Sequence, residues 1–133
     1  MYKSIKGTED IQDFLDKTNG LHDGYIIGVQ YVNHGITHTG NELRFDPKQT
    51  KLLLRILVTS LNDTIVEIEF EHLIDWQIKE NAYGITETSI RFDEHGWIIW
   101  SDQDCLNDEC FIMEELCQDS YVFANSMKWR IAE

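Results

Sequence analysis

The longest regular alternation in the chain is "TIVEIEFEHLIDWQI", residues 64–78. Val66, Ile68, Phe70, His72, Ile74, Trp76 and Ile78 share one parity, while Glu67, Glu69, Glu71 and Asp75 share the other. A period of two is that of a strand with one buried face. The pattern predicts a strand with a carboxylate row on its outer face, its members about 6.6–7 Å apart. A basic complement stands in "SYVFANSMKWRI", where Lys128 and Arg130 share one parity and would oppose the glutamates from a neighbouring strand. That closing segment has strand character and an expected turn at Asn125-Ser126.

Shorter alternations add strands. Tyr25, Ile27, Val29 and Tyr31 form one set, Leu52, Leu54, Ile56 and Val58 another, and "SLNDT" is a turn between strands. Ile90 and Phe92 lead into "DEHG", a hairpin loop with Gly96 free to take positive φ, and "WIIWS" returns from it. The period turns helical over residues 8–18, "TEDIQDFLDKT". Ile11, Phe14 and Leu15 have i, i+3, i+4 spacing, Thr8 is the expected N-cap, and Asn19-Gly20 ends the helix. A second short helix is expected over 108–118. Together these elements predict one α+β domain over residues 1–133. Its short N-terminal helix packs on a strongly curved, mainly antiparallel, barrel-like β-sheet.

Charge sharpens this picture. The formal net charge is −13. Residues 1–60 hold seven bases and seven acids, so residues 61–133 carry the entire excess, 17 acids against 4 bases. No Lys or Arg stands between Arg91 and Lys128, a stretch that contains Asp93, Glu94, Asp102, Asp104, Asp108, Glu109, Glu114, Glu115 and Asp119. Such a field repels nucleic acid and anionic membranes and attracts basic partners. No run approaches the roughly 20 apolar residues of a membrane span, and the N-terminus lacks a signal-peptide pattern. A cytoplasmic location is the expectation. Cys105, Cys110 and Cys117 are odd in number and lack paired C-x2-C spacing, so they are read as inert thiols rather than as a disulfide or zinc framework.

Candidate chemistry is sparse. His22-Asp23 stands between Gly20 and a strand, and Asp23-Gly24 is ordinary turn chemistry. The pair is therefore read as a turn, with a hydrolase or small-ligand site around it as the rival. His34 and His38 lie in a stretch rich in Gly and Thr, where no helix presents both rings to one metal, and they are expected in a solvated loop. His72 stands on the apolar parity, as a hydrogen-bonded core or sheet-edge histidine. "SDQDCLNDE" starts like a calcium loop at Asp102 and Asp104. It departs at Leu106, where an oxygen donor belongs, at Asn107 in place of Gly, and at Met113 in place of the bidentate Glu. No cofactor or metal is implied.

Three segments in order, "LHDGYIIGVQY", "VEIEFEHLIDWQI" and "ENAYGITETSIRF", resemble small bacterial proteins described as predicted toxin-immunity proteins of polymorphic toxin systems. The resemblance covers roughly residues 20–93, and Asp102 to Gln118 has no counterpart in it. It implies a non-enzymatic inhibitor of a toxin, with His22, Asp23 and Phe70 as pattern residues of structural role. With the charge distribution, it leads to an acidic binder of a basic, nuclease-like toxin. Asp102, Asp104, Asp108, Glu109, Glu114 and Glu115 are its candidate contact residues.

Overall fold

The computed structural model describes residues 1–33, 36–39, 42–45, 47–79, 83–102 and 120–132. The chain runs β1 (Lys3–Ile5), α1 (Thr8–Thr18), β2 (Gly24–Asn33), β3 (Ile36–Thr39), β4 (Glu42–Phe45), β5 (Thr50–Val58), β6 (Thr64–Gln77), β7 (Ser89–Phe92), β8 (Ile98–Ser101) and β9 (Tyr121–Ile131). The main sheet has the order β2-β5-β6-β9-β8-β7, with β1 added to β9, and every pairing is antiparallel. β3 and β4 form a separate two-stranded sheet. The sheet is curled, as expected, but it does not close into a barrel. Among the described residues, the segment ahead of β7 meets the start of β2 at the bridge between Gly24 and Ile85, and β2 and β7 share no ladder.

Alternation predicts the centre of the sheet well. Leu52, Leu54, Ile56 and Val58 of β5 are fully buried, as are Val66, Ile68 and Phe70 of β6. The single parity expected across 64–78 then breaks. His72 adopts φ 55, Leu73 takes the core side, and Ile74 is left exposed. An extra residue enters β6 between Leu73 and Asp75, a bulge of the kind that bends its strand. β9 changes face at the same level. Met127 and Trp129 are buried, Asn125 and Ser126 are exposed, and Ala124 and Val122 are buried again. No turn forms at Asn125-Ser126, because β9 stays paired with β6 on both sides of it. The Thr50 hydroxyl accepts the Leu73 N–H at 2.8 Å, so the bend leaves that buried donor satisfied. Past the bend, beyond the last β5–β6 pair (Lys51 with Glu71), β6 brings Trp76 onto Tyr31 of β2, stacked at 5.7 Å. That contact shows how far the sheet curls.

Helix α1 has the expected bounds, but its N-cap is Gly7 rather than Thr8. No side chain caps the first turn; Asp10 instead accepts the N–H of Lys6, the residue before the cap, at 2.9 Å and ties the incoming chain to the helix. Asn19 at φ 54 and Gly20 at φ 63 end the helix in left-handed backbone. Phe14 is fully buried, edge-on to Trp129 at 5.1 Å, which docks the helix on the sheet. In the β7–β8 hairpin, Asp93 Oδ1 accepts N–H groups from His95 and Trp97, and Gly96 takes φ 80. His38, expected in a loop, lies on β3, where the alternating Thr residues favour a strand. His34, the three cysteines and the expected helix over 108–118 fall outside the described residues. Among the described residues, no helix is long and apolar enough to cross a membrane.

Candidate functional site: the His-Asp turn and the charged ladder

The His22-Asp23 turn is a junction of three segments. Leu21 is fully buried beneath it, and Leu21 and Asp23 have φ of 55 and 57. Asp23 N–H donates to the Ile85 carbonyl at 2.8 Å, Ile85 N–H to Gly24 at 2.7 Å, and Thr88 N–H to Gly20 at 3.0 Å. From the turn before β6, Thr59 Oγ1 donates to the Asp23 carbonyl at 2.8 Å and Ser60 Oγ donates to that of His22. Gly24 is required here, because a Cβ at that position would lie 2.6 Å from the Leu21 carbonyl oxygen.

The imidazole serves the same junction. His22 Nδ1 lies 2.6 Å from the Thr86 carbonyl. A carbonyl only accepts, so Nδ1 carries the hydrogen. Nε2 faces Asp23 Oδ2 at 3.6 Å, with both side chains more than half exposed. Neither side chain lines the clefts of about 640, 450 and 220 Å³. Among the described residues, no three His, Cys, Asp or Glu side chains gather as a metal site would require. His22→Ala is expected to lower stability by no more than about 1–2 kcal/mol, the scale of one hydrogen bond. Any partner binding should persist. Urea titration beside a binding assay checks this, and normal stability with lost activity would refute a structural role.

The outer face of β5, β6 and β9 carries the glutamate row, and the register gives each member a cation. Glu67 lies opposite Arg130 and Arg55, Glu69 opposite Lys128, and Glu71 opposite Lys51. Lys128 Nζ reaches Glu69 at 2.8 Å and Glu71 at 3.3 Å. Lys51 approaches the same two carboxylates at 3.6 and 3.9 Å. Arg130 Nε donates to Glu67 at 3.0 Å, and Arg55 flanks Glu67 at 3.6 Å. The Tyr2 ring lies 4.5 Å from the Arg130 guanidinium and 5.2 Å from Lys128 Nζ. The hydrogen bond from Lys128 to Glu69 is the largest influence on that ammonium. It outweighs partial burial and raises the pKa above the usual 10.5, with Glu71 adding to the effect. This ladder was half legible, since parity gave the β9 cations but not those of β5.

The candidate contact acids divide. Asp102 was expected on an exposed surface, but it is only 3% exposed. Its carboxylate accepts the Ser120 N–H at 3.2 Å, and its own N–H donates to the Ser120 carbonyl at 3.3 Å. It clasps the end of β8 to the start of β9. Asp104, Asp108, Glu109, Glu114 and Glu115 fall outside the described residues. No protein-family model, curated protein or solved structure matches the chain.

Proposed function

We propose that this chain is a non-enzymatic acidic binding protein, an immunity-type inhibitor that covers a basic, nuclease-like toxin in the bacterial cytoplasm. The observation that carries the reading is the charged ladder. It commits four cations, Lys51, Arg55, Lys128 and Arg130, to three glutamates. Seven bases then face 21 acids in the rest of the chain, and the stretch from Asp93 to Asp119 has no base. The acid surplus therefore stands outside the ladder, and that stretch of the sequence holds nine of its acids. A nuclease-like toxin carries cations where it grips phosphate, and an acidic inhibitor meets it faster than neutral surfaces would.

Asp104, Asp108, Glu109, Glu114 and Glu115 are the contact residues of this proposal. Asp102 leaves the set, because its carboxylate is used within the fold. Reversing those five acids to Lys is expected to slow association with the basic toxin partner by about tenfold or more at low ionic strength. The salt dependence of the on-rate should flatten as well. Stopped-flow kinetics over an ionic-strength series measures both effects. An on-rate unchanged by the five substitutions would mean that these acids serve solubility alone.

A further inference from the structure

We propose that β2 is a dimerisation edge, along which two copies join by antiparallel pairing of Gly28–Val32 with the same segment of the second copy. β2 is the border strand of the main sheet. Past the Gly24–Ile85 bridge, its outer side meets no described strand. Free strand edges are ordinarily blunted by charge, proline or a bulge. From Gly24 to Asn41 there is no Asp, Glu, Lys, Arg or Pro, although the whole chain carries −13. The only blunting device in β2 is the register shift between Ile26 and Gly28. It leaves the second half of the strand regular.

That regular half is apolar and open. Val29 lies opposite Leu54 and Tyr31 opposite Leu52, so both point to the core side of the sheet. Leu54 and Leu52 are fully buried, but Val29 is 45% and Tyr31 48% exposed. The difference is that, among the described strands, this half of β2 has a neighbour, β5, on one side only. A cleft of about 640 Å³ runs beside Gly24–Val29, and one of about 450 Å³ beside Tyr31.

Charge selects a second copy as the occupant. A basic partner finds no carboxylate on this strand, and two chains of −13 repel wherever acids meet. β2 is where they touch without like charges. A two-fold axis through Gln30 sets Val29 against Tyr31 of the other copy on one face, and Gly28 against Val32 on the other. Such directly opposite pairs are what stabilise neighbouring strands.

Sedimentation velocity of the full chain over a concentration series, in moderate salt to screen the net charge, tests this. The wild type should reach twice the 15.6 kDa of one chain. Val29→Lys should weaken the dimer by about tenfold or more, because it restores the charge that edges normally carry. Gln30→Lys and Gln30→Glu should each weaken it alone, and an equimolar mixture of the two should restore it, since position 30 meets itself on the axis. Amide exchange of the wild type, dilute against concentrated, gives a readout that needs no variant, and Gly28–Val32 should gain protection on concentration. A wild type that stays monomeric to about 1 mM overturns the proposal. A dimer indifferent to Val29→Lys, or a Gln30 mixture no tighter than its components, overturns it equally.

Discussion

Truncating Phe70 to alanine is expected to cost about 3–5 kcal/mol, the range for emptying a buried aromatic site. A domain of this size has about 5–15 kcal/mol in total, so the variant sits near the limit of folding. Phe70 is fully buried, lies between Leu52 on β5 and Met127 on β9, and packs against Trp100 at 6.2 Å. It is also the last core residue of β6 before the His72 bend. Its neighbours are fixed in strand ladders on both sides, which limits how far the void can collapse. Urea unfolding should show a large fall in midpoint with little change in slope. Ile74→Ala is the informative control, because continued alternation would have made Ile74 a core residue like Phe70. At 39% exposure it should cost far less. Equal costs at the two positions would contradict the bend.

The same comparison shows what alternation can and cannot reveal. Parity is local, so residues 64–70 were legible from their own pattern, and the Lys128–Arg130 parity pointed to β9 as the neighbour that supplies cations. The change of face at His72 was not legible. It depends on left-handed backbone in a residue other than glycine, and on a hydroxyl from Thr50, which is distant in sequence. Asn125-Ser126 looks like a turn in isolation, but a ladder to β6 holds it extended. The pattern of β2 shows that an apolar face need not be a covered one, since a border strand lacks a second neighbour whatever its sequence. The His-Asp turn was legible because Asp-Gly chemistry is local. Its partners Thr59, Ser60, Ile85 and Thr86 come from two other segments and had no signal of their own. A run of acids suggests solvent at Asp102, whereas the Ser120 N–H, distant in sequence, gives this carboxylate a buried partner.

Glu69→Gln is expected to cost about 2 kcal/mol at neutral pH, less than the full price of breaking a buried ion pair. The Glu69 side chain is only 10% exposed and stands between Lys128 at 2.8 Å and Lys51 at 3.6 Å. Removing its charge leaves two ammonium groups facing a neutral amide from opposite sides. Lys128 and Lys51 remain about a third exposed, so water offsets part of the loss. The pH dependence has a definite sign. The pKa of Lys128 is raised in the folded protein, so its contribution is fully present below the unfolded value of 10.5 and is lost as pH rises through the folded value. Wild type and variant should therefore differ by a constant amount from neutrality to about pH 10 and converge in stronger alkali. Adding Lys128→Met to Glu69→Gln should cost less than the two single changes summed, because the double variant leaves no ammonium from β9 without its carboxylate. Glu71→Gln provides the reference, since that carboxylate is 40% exposed and meets the same two lysines at longer distances. If it costs as much as Glu69→Gln, the ladder acts only as surface pairing, and burial at Glu69 adds nothing to the strength of the sheet.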